Sequence, residues 1–178
     1  MNPLIIIEKY YKKNSDLYNI LISHSTDVMN KALSIAKKHP ELKIDADFVR
    51  EAAMLHDIGI FLTNAPSIQC HGIVPYVCHG YLGREMLDAE GLPSHGLVCE
   101  RHTGIGISLQ DIEMENLPLP RRDMRPVSIE EKVICFADCF YSKTSLGQEK
   151  SIDKIRKGIC RHGINSLDVF DQWCIDFL

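Results

Sequence analysis

A helical apolar period runs through almost the whole chain, and histidine and carboxylate side chains interrupt it. Residues 15–38 place Leu17, Leu21, Val28, Ala32 and Ile35 on one stripe, and His24 falls on the same stripe. Apolar residues recurring every three or four positions bury one face of a helix. Ser15 is a suitable N-cap and Pro40 stops the run. A second helix spans 46–58, with Asp45 to cap it and Gly59 as a permissive end. Pro75 opens a third, running to Gly91 with Val77, His79, Leu82 and Met86 along one side. A short helix from Pro93 to His102 ends at Gly104.

Residues 116–127 contain Pro118, Pro120 and Pro126 and read as a loop. Ser128 and Glu131 then make a capping box for a helix reaching about Lys143. Two further helices are expected over about 151–161 and 165–177, the last packing through Ile164, Leu167, Phe170, Cys174 and Phe177. No repeat and no convincing strand pair stands out. The expectation is one all-α domain over 1–178, a compact multi-helix bundle with its motif-bearing core at about 15–145.

The 178 residues carry a net charge of −4, which disfavours long nucleic acid as a partner. The basic stretch Arg121-Arg122-Asp123-Met124-Arg125 is short and lies among prolines. The apolar run Leu4 to Ile7 is too short for an export signal, and a membrane span needs about 20 apolar residues. A cytoplasmic protein with no membrane partner is expected. Its seven cysteines then read as reduced thiols, mostly packed as small core residues, with Cys135 and Cys139 on one helix face. His39, His95 and His162 have no unusual context and are expected at the surface.

The anomalous positions carry the chemistry. Asp138 sits within Ile134-Cys135-Phe136-Ala137-Asp138-Cys139-Phe140, with no Lys or Arg one helical turn away. A buried carboxylate needs a cation, a hydrogen-bond network or a metal. His56-Asp57 ends an Ala-rich helix, and adjacent helical residues point about 100° apart, so both can converge on one ion at a helix edge. His24, His79 and His102 add imidazoles from three further helices. Mixed imidazole and carboxylate ligands suit Mn, Fe, Zn or Co. A Cys/His zinc site at Cys70-His71 and Cys78-His79 is disfavoured by its irregular spacing.

The ordered set His24…His56-Asp57…His79…His102…Asp138 resembles the HD superfamily of metal-dependent phosphohydrolases. The segments MLHDIG, CHGYLGREML, ERHTGIG and CFADCFYSK are similar to its motifs, across about residues 20–145. The resemblance implies an HD-domain bundle with one or two divalent transition metals. His24, His56, Asp57 and Asp138 would hold the first, and Asp57, His79 and His102 the second. Asp57, His79 and His102 are also the catalytic candidates that the resemblance implies; in members with one metal, residues of the His79 and His102 type serve instead in substrate binding or acid–base work.

The implied reaction is hydrolysis of a small phosphate ester or nucleotide by a metal-bound hydroxide. Many members carry a Lys just after the HDxG motif, whereas this chain reads His56-Asp57-Ile58-Gly59-Ile60-Phe61. Phosphate charge must then be met elsewhere, and Arg84, Arg101 and Lys143 are candidates, with Thr103 as a hydroxyl contact. The HTGIGIS stretch lacks the Tyr-Pro pair of HD-GYP phosphodiesterases. It is closer to small stand-alone members, including symmetrical dinucleoside-tetraphosphate hydrolases. Two other readings are an HD-fold di-iron oxygenase and an inactive metal-binding HD protein.

Overall fold

A computed structural model describes residues 1–159 and 164–178, and the expectations for Cys160, His162 and the Ile164 side chain fall outside what is described. Nine α-helices are seen among the described residues: α1 (Pro3–Tyr10), α2 (Asp16–Lys38), α3 (Ala46–Leu55), α4 (His79–Ala89), α5 (Pro93–Arg101), α6 (Leu109–Met114), α7 (Ile129–Cys139), α8 (Ile152–Ile159) and α9 (Ile164–Phe177). None is long and apolar enough to cross a membrane.

Capping explains most of the boundaries. The side chains of Ser15, Asp45 and Ser128 accept backbone N–H bonds at the starts of α2, α3 and α7. The helices α1 and α6 are additions to the sequence reading. Asn2 caps α1, and Ser108 with Asp111 forms a capping box for α6, just before the proline loop.

Two helices end earlier than their periodicity predicts. After Leu55 the chain tightens, with Ile58 N–H on Leu55 O at 3.0 Å and Ile60 N–H on Asp57 O at 3.0 Å. His56 and Asp57 therefore lie in a turn rather than on the helix. The helix α7 closes in the same way, with Tyr141 N–H on Asp138 O at 3.1 Å, which puts Asp138 in its last turn. The third helix begins at His79, because Tyr76–Cys78 is a 3-10 turn.

A small sheet corrects the expectation of no strands. Its order is β2-β1-β3, with β1 (Thr63–Ala65) antiparallel to β2 (Cys70–His71) and parallel to β3 (Val74–Pro75). Strands of two or three residues are too short for an alternating pattern to register.

Two large apolar clusters divide the interior, and a smaller third holds Cys78, Ile112, Leu119 and Met124. Of the two large ones, one holds Val28, Ala32, Ala52, Ala53, Phe136 and Phe170, joining α2, α3, α7 and α9. The other holds Ile7, Leu21, Leu55, Ile58, Leu87 and Cys99, joining α1 to the opposite ends of α2 and α3. His24 lies between Leu21 and Val28, and His56 follows Leu55, so the polar residues occupy the seam between the two clusters. Phe136 is fully buried, with ring centroids 5.0 Å from Phe140, 5.5 Å from Phe170 and 5.4 Å from Phe177. Burying one such side chain contributes about 1.5–3 kcal/mol. This aromatic group fixes α9 on α7 and so fixes the helix that carries Asp138.

Candidate metal centre

The seam collects all six of the histidines and aspartates singled out in the sequence. His24, His56, Asp57 and Asp138 form one group that could hold a metal ion, and Asp57, His79 and His102 form a second. In each, the donor atoms lie within 4.8 Å of one another, and Asp57 belongs to both. His24, His56, Asp57, His79 and His102 are buried, while the Asp138 side chain keeps 18% exposure toward an open cleft.

The imidazoles are aimed by the backbone. Nδ1 of His56 meets Ala53 O at 2.6 Å, Nδ1 of His79 meets Tyr76 O at 2.7 Å, and Nδ1 of His102 meets Cys99 O at 2.7 Å. In each case the acceptor is the carbonyl three residues earlier. Facing a carbonyl, Nδ1 must carry the proton, so whenever the ring is neutral Nε2 holds its lone pair directed inward. Nε2 of His79 then faces Nε2 of His102 at 3.1 Å, acceptor against acceptor. Such a contact needs a shared proton or a cation.

Asp57 sits at the focus. Its Oδ2 lies 3.0 Å from His56 Nε2 and 3.2 Å from His24 Nε2, and its Oδ1 lies 3.4 Å from both His79 and His102 Nε2. Yet neither oxygen makes a hydrogen bond of acceptable geometry, and the same holds for Nε2 of His24 and of His56. Close polar atoms that point at a common centre rather than at each other fit metal ligation, because burying them unpaired is costly. The donor set of imidazoles and carboxylates is of the type that takes divalent transition metals.

The charges respond to this crowding. Burial works against the His56 imidazolium, but the Asp57 and Asp138 carboxylates outweigh it and push the group up to about 10. Burial, reinforced by His102, lowers His79 to about 3, so its ring is neutral. Asp57 and Asp138 stay ionised despite burial: His56 and Lys143 hold Asp57 far below the usual carboxylate range, and His24 and His56 do so for Asp138.

The predicted substrate-binding residues separate into two pairs. The Lys143 ammonium reaches the centre, 2.5 Å from Asp57 Oδ2, and Thr103 lines the same cleft. Lys143 thus supplies positive charge that the turn after Gly59 does not. Arg84 and Arg101 point elsewhere. Arg84 pairs with Glu100, a buried carboxylate that also accepts from Arg122 Nε at 2.7 Å. Arg101 donates to both oxygens of Glu131 at 3.0 Å and borders a separate groove beside α6. Each arginine is drawn away by a carboxylate distant in sequence, and nothing in the local spacing signals that partner.

His95 is also corrected. It is buried, with its ring 4.8 Å from Phe48 and Nε2 3.2 Å from Glu51 Oε2. His39 is half-buried beside Glu41 at the end of α2. Cys70, Cys78, Cys99 and Cys135 are buried thiols, and Cys139 and Cys174 are partly exposed. None of the six belongs to either donor group. Cleft residues that the sequence reading missed include Tyr76, Ser142, Lys150 and Lys154. Tyr76 stacks on His79 with ring centroids 4.6 Å apart, a contact that only the short turn before α4 creates.

Comparison with known proteins agrees with this geometry. The family model for the HD domain matches residues 21–142. The chain belongs to the HD-domain family. The domain is similar to an uncharacterized protein of Methanocaldococcus jannaschii, 36% identical over 107 residues, which are 60% of this chain and 56% of that protein. It is also similar to two proteins named tRNA (cytidine(56)-2'-O)-methyltransferase. The one from Thermoplasma volcanium is 32% identical over 85% of this chain and 40% of its own length, and the one from Picrophilus torridus is 32% identical over 71% and 33%.

The chain therefore spans between a third and just over half of these relatives. Among solved structures, the HD domain of the L. monocytogenes phosphodiesterase PgpH superposes with a TM-score of 0.55 at 19% identity, covering 94% of this chain and 93% of that one. That likeness establishes the HD-domain fold.

Proposed function

We propose that this HD domain is a metal-dependent phosphohydrolase acting on a small phosphorylated substrate, such as a nucleotide, with His24, His56, Asp57, His79, His102 and Asp138 holding one or two divalent transition metals. The observation that carries the reading is the set of three imidazoles whose Nδ1 atoms are fixed on backbone carbonyls, so that their Nε2 atoms surround the buried Asp57 carboxylate, with Lys143 as its ammonium partner. When bound, divalent ions would offset phosphoryl charge and lower the pKa of water from about 16 to near 7.

The chain's own groups supply the rest. Asp57 and Asp138 remain ionised and provide the negative charge that holds the ions. Neutral His79 is ready to ligate without first losing a proton. Lys143, on the cleft side of Asp57, is placed to bind a phosphoryl oxygen, and the Thr103 hydroxyl can donate to another. Tyr76 stacks on His79 and covers one side of the centre. The cleft above it has a volume of about 630 Å³, within the range of about 300–1,000 Å³ for small-molecule sites.

The test is to load metal-free protein separately with Mn and with Fe, under argon and in air. Phosphate release is then assayed on phosphomonoesters, nucleotides and, given the names of two relatives, tRNA. Release from a small ester or nucleotide with Mn under argon is the expected result. Turnover that requires iron and oxygen, with no ester hydrolysed, would overturn the reading in favour of an oxygenase.

A further inference from the structure

Away from the histidines the cleft changes character. Its outer wall is built by the loop after α7 and by α8, and includes Ser142, Thr144, Lys150 and Lys154. Ile155 and Ile159 are buried in the first apolar cluster, which fixes the rotation of α8 and leaves Lys154 at the cleft edge. Lys150 is held from the other side, its ammonium donating to Cys139 O at 2.8 Å, next to Asp138 in the chain.

Three ammonium groups thus line one small cleft, where Asp138 is the one carboxylate among the described lining residues. Asp138 already belongs to the metal group. Of the lysines outside the cleft, Lys9 pairs with Glu90, Lys13 with Glu8 and Lys31 with Glu149. Among the described residues neither Lys150 nor Lys154 has a carboxylate partner, although acidic residues exceed basic ones by four, 24 against 20. Burial pushes the Lys150 ammonium down, Asp138 and Cys139 oppose this, and Lys143 and Lys154 add smaller repulsions. Lys143 is paired with Asp57, whereas Lys150 and Lys154 are like charges without such a partner among the described residues, and an anion between them would relieve their repulsion. Lys143 faces Asp57 and is mostly buried, while Lys154 is exposed at the cleft edge, so the positive charge runs from the metal group toward solvent.

We propose that Lys150 and Lys154 form a second anion subsite beside the metal centre, which selects substrates carrying a further phosphoryl group next to the reacting one, as in a nucleoside diphosphate, over simple phosphomonoesters. This rests on the phosphohydrolase reading, since it names the substrate class of the same cleft. The two are separated by measuring binding with ligands that are not turned over. Isothermal titration of the metal-loaded protein with methylphosphonate and with methylenediphosphonate, at fixed ionic strength, gives a preference for the double anion.

That preference should fall about tenfold in the Lys150→Gln, Lys154→Ala double variant, the two solvent-screened contacts together being worth about a factor of ten. Lys154→Ala alone should lower it in part; this residue is exposed, so its loss does not threaten the fold. Lys157→Ala, exposed on the same helix and outside the cleft, should keep the full preference. Equal binding of the two ligands by the unaltered protein, or a preference unchanged in all Lys150 and Lys154 variants, overturns the subsite. Lysine-dependent preference without phosphate release from any ester would remove the hydrolase reading and leave the anion subsite standing.

Discussion

His79 Nε2 and His102 Nε2 face each other at 3.1 Å, while the opposite nitrogen of each ring lies 2.7 Å from a carbonyl oxygen three residues earlier in the chain. Both rings are therefore committed as inward acceptors, and they share Asp57 Oδ1 at 3.4 Å. Asp57 also borders His24 and His56, which makes it the residue common to both donor groups.

Replacing Asp57 should accordingly cost more metal than replacing any histidine of the second group. Elemental analysis of protein purified without chelator should show metal nearly absent in Asp57→Ala and only reduced in His79→Ala or His102→Ala. Unchanged metal content in Asp57→Ala would refute the assignment.

Gly59 closes the turn that presents His56 and Asp57. A Cβ there would sit 2.3 Å from His79 O and 2.6 Å from Gly83 N, both of them backbone atoms that cannot swing aside. Gly59→Ala should destabilise the fold by about 1–3 kcal/mol, as overpacking does. It should also weaken metal binding, because the clash pushes the Asp57 turn away from α4. Denaturant unfolding and metal content on the same samples check both; a stable variant with full metal would show that the turn tolerates displacement.

Glu100 is buried between Arg84 and Arg122, both partly open to solvent. Glu100→Gln should cost about 2 kcal/mol, a value for hydrogen bonds to charged groups tempered by solvent screening of the arginines. Its metal content should stay normal, since neither arginine reaches the centre. A selective loss of phosphate-ligand affinity in Arg84→Ala, with stability intact, would return Arg84 to the site.

The Cys135 thiol lies 3.3 Å from His102 O and the Cys139 thiol 3.2 Å from Gly104 O, so both touch the turn that ends α5. Cys135→Ala should lower stability by about 1 kcal/mol through loss of a buried contact and leave metal stoichiometry unchanged. Metal loss in a folded Cys135→Ala protein, read by elemental analysis, would bring a thiolate into the centre.

What could be read in the sequence was whatever stood out against its own helix. His24 on an apolar stripe and Asp138 among Ile134, Phe136 and Ala137 announce themselves, because a polar group in a core position must be compensated. Lys143 was also reachable, five residues beyond Asp138. Arg84 and Arg101 were not separable from it, because Glu100 and Glu131 claim them through contacts between helices. His95 was misplaced for a similar reason: Phe48 and Glu51, which bury and pair it, lie more than forty residues earlier. Lys150 and Lys154 look like ordinary surface charge until Cys139 O holds the first and the packing of Ile155 and Ile159 sets the rotation of α8 that carries the second.

The aiming of His56, His79 and His102 by main-chain carbonyls has a consequence for substitution. The acceptors are Ala53, Tyr76 and Cys99, and any residue at those positions would offer the same oxygen. The orientation of these three rings therefore depends on the path of the main chain and not on the chemistry of the residue that supplies the oxygen. A substitution at 53, 76 or 99 that keeps the main-chain path keeps the ring orientation, whereas His24, whose Nδ1 meets no such carbonyl, takes its orientation from side-chain packing alone.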